Sequence, residues 1–169
     1  MAAIRIYGDL ILRKKALAIT EFDDELRAFA EQMKSDMYES DGIGLAAPQV
    51  GKSVRLVVVD VTAGEQEPYL LINPDIFYFS EEKEDYDEGC LSVPDITLPI
   101  TRPSIISVRA RDENGEEFTL ENIDGLFARA VQHEVDHLDG ILFVDRASPV
   151  RRQLISGKLK KLAKSHRGT

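Results

Sequence analysis

The sequence predicts an α+β fold: mainly antiparallel β-sheets wrapped around a central buried helix, with a further helix at the C-terminus. Three observations carry that prediction. Residues 126–131, which run straight into the helix's polar stretch, are apolar around much of a helical circumference, which marks a buried helix. Short β-type runs cluster between this helix and an earlier one, without βαβ alternation. Asn114-Gly115 joins two alternating runs, the strongest short signal for an antiparallel hairpin.

Residues 2–19 read as an irregular lead-in anchored by Leu10, Ile11 and Leu12. A helix follows over about 23–38, because Phe22, Leu26, Phe29, Ala30, Met33 and Met37 recur at helical spacing. Its methionines are more simply core than ligands, and Asp41-Gly42 stops it. Residues 54–61, with Leu56-Val57-Val58-Val59, form a buried strand. Residues 69–73 and 76–79 are two short strands broken at Asn73-Pro74, and the acidic stretch 81–88 is a solvated loop or an edge strand. Residues 105–111 and 116–123 are the arms of the hairpin. Asp124 is the expected N-cap of the buried helix and Gly140 its end. Ser148-Pro149 reads as N-cap and first residue of the closing helix.

At 169 residues the chain is expected to form one domain over 1–169, with a basic C-terminal helix from about 149. No apolar run approaches the ~20 residues of a membrane span, and the N-terminus lacks the apolar core of a signal peptide. The expected location is the cytoplasm, with no membrane partner. Cys90 is the single cysteine, so it has no disulfide partner in the chain. Net charge is -9, unevenly spread: residues 149–169 carry seven Lys/Arg and no acid, leaving 14 basic and 30 acidic residues, a net of -16, elsewhere. The body is not expected to bind nucleic acid through bulk charge, whereas the tail can attract it.

Chemistry concentrates in Gln132-His133-Glu134-Val135-Asp136-His137-Leu138. Positions i and i+4 share a helix face, so His133 and His137 aim two imidazoles at one point where a metal can sit. Glu134 then flanks that metal, as a hydrolytic site requires. The plainer alternative is two core histidines satisfied by backbone partners. A catalytic metal takes three protein ligands and keeps one open position. Outside the helix, Cys90, His166 and the acids are the candidates, and a lone cysteine is usually a small buried apolar residue. Residues 46–53 end in Gly51-Lys52-Ser53 and imitate a phosphate loop, but the order helix, loop, strand is the reverse of what such a loop needs. Gly42 and Gly44 permit close backbone approach to a ligand, and Gln49 carries an amide that can donate to an oxyanion.

Three segments together resemble bacterial peptide deformylases: Gly42-Ile43-Gly44-Leu45-Ala46-Ala47-Pro48-Gln49, Glu88-Gly89-Cys90-Leu91-Ser92, and Gln132 to Leu138. The likeness in length and element order covers essentially the whole chain. It implies a metal-dependent hydrolase that removes the formyl group from N-terminal formylmethionine of nascent polypeptides. It implies that Cys90, His133 and His137 bind the metal, natively Fe(II), with nickel, cobalt or zinc as substitutes. Glu134 would be the acid/base, and Gln49 with the Leu91 amide the oxyanion hole. Ile43, Leu91 and the motif helix would wall the methionine pocket, and Gly44 would bond the peptide backbone. One departure is Gly8-Asp9-Leu10, where many members have proline after the aspartate. No long insertion separates the first two motifs, so the chain resembles the compact subclass that ends in a helix.

Two other functions compete. A zinc endopeptidase shares His-Glu-x-x-His, but its third ligand usually follows the helix, where only Asp139 and Asp145 stand. A non-enzymatic, metal-stabilised domain needs a fourth protein ligand, for which His166 is the remaining histidine. Asp136 is expected either to orient a histidine or to face solvent. The C-terminal helix offers Val150, Leu154, Ile155, Leu159 and Leu162 as an apolar stripe. Its basic residues either offset the acidic body or dock the enzyme on ribosomal RNA.

Overall fold

The computed structural model describes residues 2–167. Three helices, α1 (Asp24–Glu39), α2 (Gly125–Leu138) and α3 (Pro149–Arg167), accompany seven strands. The strands are β1 (Gly44–Ala46), β2 (Leu56–Val59), β3 (Tyr69–Phe79), β4 (Lys83–Cys90), β5 (Val93–Pro103), β6 (Ile106–Arg111) and β7 (Glu117–Ile123). Five of them form one antiparallel sheet in the order β1-β2-β3-β6-β7, and β4 pairs with β5 in a second.

The apolar run of β2 is continuous because both of its faces are covered. Val57 and Val59 pack with Ala128, Val131 and Val135 of α2, while Leu56 and Val58 pack with Leu26, Ala30, Met33 and Met37 of α1. The central helix is thus buried between the main sheet and the β4-β5 pair, as the sequence predicts. The strand itself is shorter than 54–61; Val54 makes only an isolated bridge to Leu17. The hairpin forms as expected, with Asp112 Oδ1 accepting from the amides of Asn114 and Glu116 and Gly115 at φ +83°.

Four expectations need correction. Residues 69–79 are one strand, not two, because the chain passes Asn73-Pro74 as a bulge with a register shift between Ile72 and Asp75. Asn73 takes φ +51°, and its side chain bonds the Ile19 amide and carbonyl, both at 2.8 Å, so the break is filled from the lead-in. β5 was not expected at all; its three prolines hide it, yet a two-stranded sheet leaves each strand one edge that needs no ladder donor. The acidic stretch is the edge strand β4. Leu10 is no anchor, being 77 % exposed at the start of a 3₁₀ turn, Leu10–Arg13, that buries Leu12 instead. On α3, Ile155 and Ala163 are buried and Leu159 and Leu162 partly so, but Val150 and Leu154 point outward.

Candidate active site

α2 carries His133, Glu134 and His137 into the interior, and the end of β4 brings Cys90 to them. Cys90 pairs with Val93, so Leu91 and Ser92 form a two-residue turn between β4 and β5 at the site's edge. The Cys90 sulfur and one ring nitrogen of each histidine lie within 4.8 Å of one another, and Cys90 Sγ is 3.4 Å from His137 Nε2. His133 bonds the Glu88 carboxylate through Nδ1 at 2.9 Å, which leaves Nε2 for the cluster.

Glu88 is a site residue that sequence reasoning missed. It is buried, and besides His133 it accepts from Arg102 and Arg129. Burial pushes its carboxyl up, but the bonds from His133, Arg102 and Arg129 win and hold it at about 2. Glu88 is therefore a fixed anion behind His133, the partner that sets the tautomer and direction of a ligating imidazole. The signal in the sequence was the inward alternation Ile96, Leu98, Ile100, Arg102, which places a guanidinium in the core where an acid must meet it.

The two histidines differ electrostatically. Burial pushes His133 down, but the Cys90 sulfur and the Glu88 and Glu134 carboxylates hold it well above the usual imidazole range. Burial, then the nearby charges of His133, Arg102 and Arg13, hold His137 well below it. Glu134 is pushed up to about 7, chiefly by burial, against the pull of His133. Glu134 Oε1 and His137 Nδ1 are buried with no hydrogen-bond partner among the described residues, Glu134 Oε1 coming only within 3.9 Å of His137 Nε2, so the site keeps polar atoms whose hydrogen bonds this chain does not make.

Gln49 closes the other wall. It sits in a 3₁₀ turn, Ala47–Val50, between β1 and β2. Its Oε1 accepts from the Ala46 amide at 3.0 Å, which forces its NH₂ toward Ser92 Oγ at 3.1 Å and Cys90 Sγ at 3.6 Å. Gly44 lies against Glu134: a Cβ there would fall 2.5 Å from Glu134 Oε2. Ile43, Gly44, Gln49, Leu91, His133 and Glu134 line one cleft of about 150 Å³, together with Leu126, Arg129 and Ala130 of α2, the helix expected to wall it, and Tyr86, which the sequence did not single out.

Other candidates fall outside. Asp136 touches neither histidine directly and does not face solvent: it is buried, bonding Arg102 at 2.9 Å and Arg146 through both oxygens. An acid one turn from His133 looks like a histidine partner, but the helix turns it toward β5. Asp139 pairs with Arg55 and Asp145 with Arg13, so neither offers the third ligand of an endopeptidase. His166 faces Asp9 at 3.5 Å and does not join the cluster.

Comparison with known proteins agrees with this arrangement. Residues 1–153 match the family described as polypeptide deformylase. The peptide deformylase of Thermotoga neapolitana is 46 % identical over 168 residues, covering 99 % of this chain and all of the relative. That of Natranaerobius thermophilus is 49 % identical over 150 residues, 89 % of this chain and 94 % of the relative. Among solved structures, Arabidopsis thaliana peptide deformylase 1B superposes with a TM-score of 0.95 at 40 % identity, covering 99 % of this chain and 93 % of that one. The Thermotoga maritima peptide deformylase gives 0.83 at 46 % identity, covering 88 % and 99 %. By sequence and by fold the chain belongs to the peptide deformylase family, metalloenzymes that remove the N-formyl group from newly made polypeptides.

Proposed function

We propose that Cys90, His133 and His137 hold one divalent metal ion, that Glu134 carries the proton, and that Gln49 and the Leu91 amide receive the formyl oxygen. The observation that carries this is the convergence of a thiol and two imidazoles within 4.8 Å, beside a buried Glu134 oxygen that has no hydrogen-bond partner among the described residues. One soft thiolate and two imidazoles suit iron, cobalt, nickel or zinc and not magnesium or calcium. Three protein ligands leave the open position a catalytic site requires. Fe(II) is the proposed native ion, with nickel, cobalt or zinc as substitutes. Such an ion supplies Lewis acidity, polarising the formyl carbonyl and making water a stronger acid.

In the reaction a water oxygen forms a bond to the formyl carbon, and the bond from that carbon to the methionine nitrogen breaks. Glu134 takes one proton from the water and delivers it to the departing nitrogen, so the products are a neutral amine and formic acid, which ionises to formate. A carboxyl at about 7 is suited to both halves of that transfer at neutral pH. Gln49 Nε2 and the Leu91 N–H donate to the oxygen on which charge develops, each worth ~3 kcal/mol of barrier. Ile43, Leu91, Leu126 and Ala130 form the apolar wall for the methionine side chain. Gly44 lies on β1, an edge of the main sheet, where an extended peptide can add as a further strand.

The catalytic domain spans residues 1–169 and works in the cytoplasm, where nascent formyl-peptides arise and a thiolate ligand stays reduced. No helix among the described residues is long and apolar enough to cross a membrane. Six basic residues of α3, Arg151, Arg152, Lys158, Lys160, Lys161 and Lys164, are exposed and dock the enzyme on ribosomal RNA, which would repel the acidic body. The assignment is tested by anaerobic metal analysis paired with formate release from a formyl-methionyl peptide. The wild type should hold metal and release formate, while Cys90→Ala should lose both. Full metal occupancy in Cys90→Ala would remove Cys90 from the ligand set.

A further inference from the structure

Arg102 stands where the pattern of β5 calls for an apolar side chain. Ile96, Leu98 and Ile100 alternate inward before it, and Arg102 takes the next inward position, 3 % exposed. A buried guanidinium is costly to desolvate and persists when its donors are met in good geometry. Here Nε and Nη2 donate to the two oxygens of Glu88 at 2.6 and 3.0 Å, and Nη1 donates to Asp136 at 2.9 Å. Asp136 is gripped in turn by Arg146, from Nε at 2.9 Å and Nη2 at 2.8 Å. A chain of alternating charge, Arg146–Asp136–Arg102–Glu88, thus ends on His133 Nδ1. Its outer end is a side chain 44 % exposed. That end lines a second cavity of about 490 Å³, which shares no lining residue with the active-site cleft.

We infer that Asp136 and Arg146 are positioning residues for the metal ligand His133, acting through Arg102 and Glu88. Two parallel bonds fix the Glu88 carboxylate in the plane of the Arg102 guanidinium. Asp136 fixes the third donor of that guanidinium, so the plane cannot rotate. With Glu88 held, the His133 ring has one orientation, Nδ1 toward the carboxylate and Nε2 toward Cys90 and His137. Losing the Asp136 charge frees Arg102 Nη1 and leaves its positive charge to Glu88, which becomes a weaker acceptor for His133. Both effects weaken the imidazole as a ligand. His137 has no such support, its Nδ1 having no hydrogen-bond partner among the described residues, so the relay acts on one ligand only.

The inference rests on the proposed role of His133, and the test separates the two. The probe is Co(II), loaded into the full-length protein and released into excess chromophoric chelator. The thiolate–cobalt absorption band reports ligand geometry, and the melting temperature of the metal-free form reports the fold. Glu88→Gln should speed Co(II) release ~10–100-fold, Asp136→Asn ~3–10-fold and Arg146→Met ~2–3-fold, with shifted cobalt bands. The double variant Glu88→Gln/Asp136→Asn should release cobalt no faster than Glu88→Gln alone, because the effect of Asp136 passes through Glu88. Rates that multiply in the double variant would overturn the relay while leaving the ligand assignment standing. So would an Asp136→Asn that melts lower but keeps the wild-type release rate and band. Should Asp136→Asn not fold, Arg146→Met, changed at a half-exposed side chain, carries the same comparison. A wild-type protein that takes up no Co(II) would overturn the ligand assignment, and the relay with it.

Discussion

Glu134 rests on the space left by the missing side chain of Gly44. This contact explains the glycine more directly than turn geometry, since Gly44 is absent from the residues with positive φ. Gly44→Ala would put a Cβ 2.5 Å from Glu134 Oε2, so the carboxylate must rotate off its position. The expected result is a fall in kcat of ~10²–10⁴-fold, the usual worth of a general acid/base, with metal content unchanged. Formate release and metal analysis on one preparation check it, and a kcat near wild type would mean that Glu134 tolerates displacement. At this scale the site was legible where its residues are close in sequence. His133, Glu134 and His137 share one helical turn, and the frame of the helix fixes their relative directions. Cys90 could not be told from a buried apolar residue by spacing, and only the resemblance singled it out. Glu88 was invisible because its bond to His133 joins residues 45 apart. The partners of Asp136 were not legible, because i and i+3 proximity to a histidine says nothing about the arginines that compete for the acid.

Among the elements, the turn after β2 shows how one carboxylate can organise a junction. Asp60 accepts from the amides of Thr62 and Gly64, from Thr62 Oγ1, and from the Tyr38 hydroxyl of α1 at 2.6 Å, while its own amide bonds the Ile43 carbonyl at the cleft. Burial pushes its carboxyl up, but the bonds from Thr62 and Tyr38 and the two amides hold it at about 2. The same bond, helped by burial, pushes Tyr38 up to about 12. A carboxyl depressed in the folded state contributes stability above its unfolded pKa of ~4 and loses it as pH falls through the folded value. The raised phenol contributes below ~10 and loses it as pH rises through about 12. Wild type should therefore melt above Asp60→Asn at pH 7, with the gap closing between about pH 4 and pH 2. A gap independent of pH over that range would contradict the assignment. Strand boundaries were the least legible part of the fold. Proline removes a donor, so Pro74 suggested a break in β3 and three prolines concealed β5. In both cases sheet context decides: a bulge absorbs the first, and a free edge tolerates the others.

At the scale of the whole molecule, α3 joins the second sheet to the lead-in. Ile155 and Ala163 are buried with partial cover from Leu159 and Leu162, and Ala163 sits against Gly8, where a Cβ would fall 2.7 Å from its Cα. Among the described residues, none of α3 lines the active-site cleft. Truncation after Ser148 should therefore lower Tm by ~10 °C, from ~3–5 kcal/mol of lost burial at ~2–4 °C per kcal/mol. Hydrolysis of a short formyl-peptide at 20 °C should persist, and salt-sensitive co-sedimentation with ribosomes should vanish. Unchanged co-sedimentation by the folded, truncated protein would rule the docking role out. The stripe on this helix was only half legible, since helical periodicity gives spacing but not which side the body covers. Val150 and Leu154 lie outside it for that reason.

The central claim is that Glu134 moves the proton while Cys90, His133 and His137 hold the metal. Glu134→Gln, purified without oxygen, tests it through the ratio of metal to protein, read beside formate release from a formyl-methionyl peptide. The account predicts wild-type metal occupancy with turnover reduced by ~10²–10⁴-fold. Metal lost together with turnover, or turnover kept at the wild-type rate, would contradict it.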